Sequence, residues 1–429
     1  MAGDLLGQIR VLDFTLAAVG PFSTRILADL GADVIHVEYP RLRWRTGRTG
    51  REESRFTRAK DGRIARENEL FLHVNGGKKS LAVNLKSEEG VDIIHRLVRE
   101  VDVVVENMTP RVKRDLGIEY AVLSEINPGL VMCSMSGFGQ EGLDGDEARA
   151  CTDPVAQAMS GISWITGERN GPPYAVGGGI GDTVTSAMGV IAILSALIGR
   201  ERTGKGQYID ISMVESLAYL DCISLPSTAM NGRSRTFRNG QMNSHNFPMG
   251  PLKCTGGYIA LQARGSGPDS PWGRLCSLMD RNDMIDDDRY RDDNARIAHA
   301  DQVIAAIEDW LCSLADREGA LALLASERIS SGPVLSQEEM LEHRFFAERG
   351  MFGTIDYPEL GPIRVVEPPF KFSNAAAYVR GPAPEVGEHV RDIVGSDLGF
   401  EDEEIDRLIK SDVLYESEGA KRRRGSRQT

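Results

Sequence analysis

No two cysteines in this 429-residue chain are spaced as CxxC, and no histidine stands where it would complete a zinc site with them. The six present, Cys133, Cys151, Cys222, Cys254, Cys276 and Cys312, lie far apart and read as reduced, mostly buried thiols. The seven histidines, His36, His73, His95, His245, His299, His343 and His389, are scattered singly. None lies near a Ser or Cys in a known nucleophile setting, so a hydrolase triad has no support. Positive charge is in deficit: 50 Lys and Arg against 63 Asp and Glu leave a net charge of -13, and such a surface repels polyanions. Nucleic acid is therefore not expected as a partner. The most apolar stretch, Val184 to Ile198, falls short of the roughly 20 residues that cross a bilayer and is interrupted by Ser186 and Ser195. It reads as a buried helix, with no membrane partner. The opening "MAGDLLGQIRVLDF" has an acid where a signal peptide needs positive charge, which gives the expectation of a cytoplasmic protein.

What the chain does have is an ordinary globular composition, 41% hydrophobic with 46 Gly and 19 Pro, enough for a large core and two or three domains. "IRVLDF", a Gly20-Pro21 break, "FSTRILADLGA" and "DVIHVEYP" read as strand, helix, strand. The alternation recurs through "SLAVNL", a helix over "SEEGVDIIHRLVREV", "DVVVEN", a helix through "VKRDLGIEYAVLSEI", and "LVMCSMSGFG". Units of this kind build a parallel sheet covered on both faces, so the fold class is α/β with a large domain over 1–224. Residues 225–250 are rich in turn formers and read as a linker and active-site loop. A smaller α/β domain is expected over 251–335, and a return segment with a final helix at about 384–410 over 336–410. The basic tail 411–429, ending "KRRRGSRQT", is expected to be disordered.

Several motifs fail on their own terms. The turn "TLAAVGP" has one glycine where a dinucleotide cradle wants G-x-G-x-x-G, and Pro21 removes a donor. "RTGKGQ" lacks the Ser or Thr that a phosphate loop places after its lysine, and reads as a tight turn. Nine arginines and Lys60 between Arg41 and Arg66 form either a solvated loop or a local phosphate patch. Most informative is "GGGIGDTVTS", where Asp182 follows four glycines at the start of the apolar helix. Aspartate is a favoured N-cap. It is also a nucleophile that needs no base, and glycines let main-chain N–H groups reach the oxyanion formed when a carboxylate attacks a thioester. The two roles are compatible.

In order along the chain, "VLDFTLAAVGPFSTRILADLGADVIHVEYP", "NGGKKSLAVNLKSEEG", "DVVVENMTPRVKRDLG", "SGFGQEG", "DPVAQAMSG", "GDTVTSAMGVIAILSAL", "RERTGKGQYIDISM", "PPFKFS" and "APEVGEHV" resemble the family III CoA-transferases. That group includes formyl-CoA transferase, carnitine CoA-transferase and the α-methylacyl-CoA racemases. The resemblance implies a Rossmann-like large domain, an interlocked homodimer, acyl-CoA and a small carboxylic acid as substrates, coenzyme A as substrate with no tightly bound cofactor, and no metal. It makes Asp182 the catalytic residue, passing through a mixed anhydride and an aspartyl-CoA thioester. It also implies CoA contacts at Ala17, Ala18, Val19, Lys86, Asn107, Met108, Arg114, Ser136, Gly137 and Phe138, and a substrate loop at Gly240 and Gln241.

There are departures. Tyr39 stands where formyl-CoA transferase has an arginine, with Arg41 and Arg43 close behind; Asp115 holds another arginine position, with Arg114 one place early. "CTDPVAQ" has Thr152 where racemases carry a basic histidine, and retains Asp153. No glycine run precedes Gly240-Gln241, leaving either a lid or an ordinary mobile loop. Arg235, Arg238 or His245 would pair with a second carboxylate, so the expected acceptor is a polar or dicarboxylic acid. The alternatives are an α-methylacyl-CoA racemase-like CoA-ester isomerase, and a non-catalytic CoA-binding protein in which Asp182 is only a cap.

Overall fold

The structure, a computed structural model, describes residues 4–39, 56–58, 64–141, 149–234, 236–358 and 360–421. Arg41, Arg43, nearly all of the arginine-rich segment, Arg235 and residues 422–429 of the basic tail lie outside the described residues. Two compact units form: Met1–Ala156 with Gly178–Leu217 and Arg344–Thr429, and Gln157–Gly177 with Ala218–His343. In chain order the strands are β1 (Arg10–Asp13), β2 (Asp33–Glu38), β3 (Phe56–Arg58), β4 (Ile64–Asn68), β5 (Lys79–Val83), β6 (Val103–Glu106), β7 (Val131–Ser136), β8 (Gln207–Ser212), β9 (Met249–Cys254), β10 (Gly257–Gln262), β11 (Ser330–Pro333), β12 (Phe352–Tyr357), β13 (Gly361–Val366) and β14 (Leu414–Tyr415).

The first unit is built on a seven-stranded sheet in the order β14-β5-β2-β1-β6-β7-β8, parallel except at β14. Its inner strands are buried over nearly every residue, as "VVVE" of β6 shows, because a parallel sheet is covered on both faces. Side-chain alternation sorts the faces. Leu12, Ile35, Leu81, Val104 and Met132 join one core cluster, whereas Cys133 and Met135 point the other way, toward Gly189 on the helix Ile180–Thr203. Leu12 and its partners meet the helix Glu88–Val98. Ser87 caps that helix by accepting from the Gly90 N–H, Glu88 and Glu89 occupy its positive first turn, and His95 and Arg96 its last. Ile93, Ile94, Leu97 and Val98 lie 0–1% exposed on its inner face, each contributing about 1.5–3 kcal/mol relative to exposure. Truncating Leu97 to alanine would cost roughly 2–5 kcal/mol.

Connections run from β1 through β2 to β5 on one side, then cross back to β6, β7 and β8 on the other. The switch in direction therefore falls between β1 and β6, where the carboxyl ends of parallel strands leave a crevice.

Within the first unit, four elements differ from what the sequence predicts. The helix expected through "VKRDLGIEYAVLSEI" is two, Pro110–Leu116 and Tyr120–Ile126, because Gly117 takes φ +64 and closes the first. The expected final helix is a π-helical turn, Asp392–Asp397, followed by an α-helix, Asp402–Lys410, parted at Gly399 with φ +76. Residues 411–421, expected in a disordered tail, carry β14: Leu414 and Tyr415 pair with Val83 and Ala82, and Val413 and Leu414 are buried. The apolar stretch at 184–198 is the middle of a 24-residue helix, long and apolar enough to cross a membrane. Its buried face, including Gly189, Ile193 and Ala196, packs on β7, β8 and the helix Val19–Asp29, and leaves Ile191 and Ile198 exposed.

The second unit takes in Gln157–Gly177, which the sequence reading assigned to the large domain. It carries the antiparallel sheet β11-β10-β9 and a core in which Ile259, Trp272, Leu275, Val303, Ile307 and Leu324 meet. Arg296, fully buried, donates to the carbonyls of Phe247, Tyr290 and Gly265 and lies 4.9 Å over the Trp272 ring.

Candidate active site

The two strands flanking the crevice end in the same way. Asp13 closes β1, fully buried; its Oδ1 accepts the Thr15 N–H at 2.9 Å and its Oδ2 lies 2.9 Å from Lys78 Nζ. Glu106 closes β6, also fully buried; its Oε2 accepts the Met108 N–H at 2.6 Å and its Oε1 lies 2.9 Å from Lys113 Nζ. In each case a strand-terminal acid receives the amide two residues on, so the turn leaving the strand is fixed from below. Buried charges of this sort persist only when paired and hydrogen-bonded. Burial by itself would raise the Asp13 carboxyl, but Lys78 and His36 beside it win and hold it well below the usual carboxylate range. Burial pulls the Lys78 ammonium down against the opposing pull of Asp13. Lys113 has further partners in Gln140 Oε1 at 2.9 Å, Ser134 Oγ at 3.1 Å and the Tyr208 hydroxyl at 3.2 Å.

Above these pairs lie the predicted CoA contacts. Ala17, in the turn after β1, takes φ +67, a conformation costly for any residue with a Cβ. What holds it is Asn107, whose Oδ1 accepts the Leu16 N–H at 2.9 Å while its Nδ2 donates to the Leu16 carbonyl at 2.8 Å. The side chain thus ties the turn carrying Ala17, Ala18 and Val19 to the end of β6, across the switch point. Ser136 Oγ accepts the Gly139 N–H at 2.9 Å, and the Gly137 carbonyl accepts from the Val214 amide at 3.2 Å. A Cβ on Gly137 would stand 2.0 Å from Cys151 Cβ, so only glycine lets these segments meet. Phe138 lies under the Arg149 guanidinium at 4.5 Å.

Asp182 sits in the third position of the helix Ile180–Thr203, whose N-cap is Gly179. The expectation that Asp182 is itself the cap is corrected: the cap residue has φ +65, which suits glycine, and no side chain to offer. The helix is tied to the first turn by Ser186 Oγ, which donates to the Val19 carbonyl at 2.5 Å. One turn before Ser186, Asp182 is half-buried, and among the described residues its carboxylate has no hydrogen bond or ion pair. Gly178 and Gly179 leave open space before it; a Cβ on Gly179 would meet only Asp182 Oδ2, at 3.8 Å. Burial, and after it the charge of Asp153, raises the Asp182 carboxyl above the ordinary aspartate value. Asp153 Oδ1 accepts the Gly181 N–H at 2.5 Å. Burial also pushes the neighbouring Cys151 thiol up.

Two predicted contacts stand apart from this cluster. Lys86 is exposed beyond the end of β5, with its backbone N–H on Asn84 Oδ1. Arg114 is exposed on the helix Pro110–Leu116, whose inward cation is Lys113. In the second unit, Gly240 takes φ +61 and donates its N–H to the Gly167 carbonyl at 3.1 Å, while Gln241 Nε2 donates to the Pro251 carbonyl at 3.0 Å and to Glu308 Oε1 at 3.2 Å. Arg238 lies 4.9 Å over the Trp164 ring and donates to the Trp164 carbonyl, and His245 Nε2 lies 3.0 Å from Thr236 Oγ1. Sequence reading missed Asp13, Lys78, Glu106, Lys113 and Gln140. The one signal was an acid at the close of each apolar strand, in "VLDF" and "VVVEN".

With that geometry in hand, comparison with known proteins is specific. The sequence pattern of CoA-transferase family III matches residues 6–390. The succinyl-CoA:mesaconate CoA-transferase of Haloarcula marismortui is 33% identical over 400 residues, covering 92% of this chain and 97% of that protein. The formyl-CoA:oxalate CoA-transferase of Streptomyces coelicolor is 32% identical, covering 96% and 99%, and the succinyl-CoA:glutarate CoA-transferase of Mus musculus is 30% identical, covering 96% and 91%. Among solved structures, a CAIB/BAIF family protein from Brucella suis superposes with a TM-score of 0.79 at 30% identity, over 92% of this chain and all of that one.

Proposed function

The chain belongs to CoA-transferase family III, an enzyme family of acyl-CoA:carboxylate CoA transfer, and we propose that Asp182 is the nucleophile of that transfer here. An Asp182 oxygen attacks the thioester carbonyl carbon, the C–S bond breaks, and the CoA thiolate leaves with the electron pair, giving a mixed anhydride. The thiolate then attacks the Asp182 carbonyl carbon, releasing the donor's carboxylate and leaving an aspartyl-CoA thioester. The acceptor carboxylate attacks that thioester, and the same two steps run in reverse deliver its acyl-CoA and free Asp182. Protons balance without a general base, because each attacking group is already an anion.

One observation carries the reading: a half-buried carboxylate without a hydrogen-bond partner among the described residues, in the first turn of a helix tied to the switch-point turn. Desolvation and an absent partner are what a nucleophilic carboxylate needs. Among the described residues the Gly179 and Ile180 amides have no acceptor, and they supply donors for the thioester oxyanion. We assign CoA to the carboxyl ends of β1, β6 and β7, over Ala17, Ala18, Val19, Asn107, Met108, Ser136, Gly137 and Phe138, with Lys86 and Arg114 at the outer edge as phosphate contacts. Coenzyme A enters as substrate, and the chemistry asks for no tightly bound cofactor.

The relatives' names pair CoA transfer with mesaconate, oxalate and glutarate, which supports a dicarboxylic acceptor. Gly240 and Gln241 are assigned to the substrate loop on the same family basis. An interlocked homodimer with a large and a small domain is proposed from family membership, and the exposed Ile191 and Ile198 suit a covered face. A cytoplasmic location fits the six free cysteines. The isomerase alternative finds no second base at position 152, which is threonine between Cys151 and Asp153.

The test is to mix the protein with succinyl-CoA and hydroxylamine and map adducts by mass spectrometry. Modification at Asp182, absent in Asp182→Ala together with all transfer to a dicarboxylic acid, is the expected result. Transfer persisting in Asp182→Ala overturns the reading.

A further inference from the structure

Resting on the assignment of Asp182 as nucleophile, we propose that Asp153 is the positioning residue of this site, held by the Gly181 N–H so that it fixes the first helical turn and sets its own charge beside the Asp182 carboxylate. The helix Ile180–Thr203 begins with a capping problem. Its N-cap, Gly179, makes no side-chain bond, and the first turn of any helix leaves N–H groups unsatisfied. An aspartate in the first turn would ordinarily settle on one of them. Here Asp153, from 28 residues earlier, takes the Gly181 N–H at 2.5 Å, and the Asp182 carboxylate keeps no hydrogen bond among the described residues. A cap supplied from elsewhere leaves the helix's own carboxylate available for chemistry.

The packing shows how close this approach is. A Cβ on residue 181 would stand 2.3 Å from Asp153 Oδ1, 3.1 Å from Met213 Sδ and 3.3 Å from Leu217 Cδ1. Glycine is therefore required for the Asp153 carboxylate to reach the helix, and the apolar helix Met213–Leu220 closes the other side. Asp153 itself opens the short helix Asp153–Met159, so its backbone is set by an element of its own.

The electrostatic consequence has a definite sign. A helix N-terminus alone favours ionised Asp182 and dulls it as a base. Burial, and next the like charge of Asp153, act in the opposite direction and raise it. The titratable group acting on Asp182 is Asp153; the neighbouring Cys151 thiol is raised by burial, Asp182 and Asp153 and lowered by Arg149. In its ionised form, a carboxylate made more basic donates its electrons more readily to a thioester carbon.

Two variants separate position from charge. Asp153→Asn retains an oxygen for the Gly181 N–H and removes the charge; Asp153→Ala removes both. Single-turnover acylation of the enzyme by succinyl-CoA is followed against pH, with KM and kcat measured alongside. In Asp153→Asn the acid limb moves to lower pH, the plateau rate falls several-fold and KM for succinyl-CoA holds. In Asp153→Ala the plateau falls by roughly 100-fold, the scale of a misplaced reacting group, and Asp153→Asn recovers most of that loss. An acid limb that stays in place in Asp153→Asn overturns the proposal, as does a plateau within about twofold of wild type in Asp153→Ala. If Asp153→Ala does not fold, the limb in Asp153→Asn decides alone. Transfer surviving in Asp182→Ala overturns the nucleophile assignment, whereas an unmoved limb with Asp182→Ala inactive overturns only the role of Asp153.

Discussion

Replacing Asn107 by alanine should weaken CoA binding far more than it slows the chemical step. Both polar atoms of the Asn107 side chain are engaged by the Leu16 main chain, at 2.9 Å and 2.8 Å, so the residue acts by holding the turn after β1 in place. That turn needs holding, because Ala17 sits at φ +67. Two such bonds are worth roughly 1 kcal/mol each, about 2 kcal/mol together. At 1.4 kcal/mol per factor of ten, losing them lowers the fraction of molecules with a formed turn, and the apparent affinity with it, by up to about 30-fold. Calorimetric titration with CoA reads this directly. Asn107→Asp is the informative companion: it keeps the acceptor for the Leu16 N–H but sets a carboxylate oxygen against the Leu16 carbonyl, and should bind no better than the alanine variant. A folded Asn107→Ala protein that binds CoA within about twofold of wild type would refute the reasoning.

Two further outcomes follow from the buried charges. Lys113→Met leaves Glu106 buried without its cation, an arrangement that costs about 3–5 kcal/mol, and urea denaturation of the full chain should show the loss, with partial recovery when Glu106→Gln is added. An unchanged midpoint in Lys113→Met would rule out the pairing as a structural element. Acylation of Asp182 should fail as pH falls through a midpoint above that of an ordinary aspartate. Burial and Asp153 raise this carboxyl, and only its ionised form attacks, so activity is present above the raised value and lost below it. A midpoint at or below the ordinary value, measured in single turnover without acceptor acid, contradicts that environment.

Much of the first unit was legible because its signals are local. Runs such as "VVVE" and "DVIHVE" mark buried parallel strands, and "SEEGVDIIHRLV" carries its own cap, apolar stripe and closing basic residues. The start of the apolar helix was legible too, through the glycines before Asp182, although the position of Asp182 in the first turn was not. What the sequence hid depends on separation. Lys113 gathers Glu106, Ser134, Gln140 and Tyr208 from three strands and a loop, and no spacing links them. β14 is two residues long and is made a strand only by the free edge of β5. The grouping of Gln157–Gly177 with Ala218–His343 likewise joins segments distant in the chain.

On the proposed assignment of Asp182, three carboxylates in the first unit contrast a structural acid with a reactive one. Asp13 and Glu106 are fully buried at adjacent strand ends, each with a lysine ammonium at 2.9 Å and a main-chain N–H on a carboxylate oxygen. Their lone pairs are occupied, and attack on an electrophile would first have to break those contacts. Asp182 is less buried and its carboxylate has neither cation nor donor among the described residues, while the adjacent Gly181 N–H is taken by Asp153. On that assignment, reactivity follows from which partners are withheld. The consequence is directional: a cation introduced beside Asp182 should stabilise the fold and suppress transfer, since each increment of ground-state stabilisation of the carboxylate that is lost at the transition state adds to the barrier.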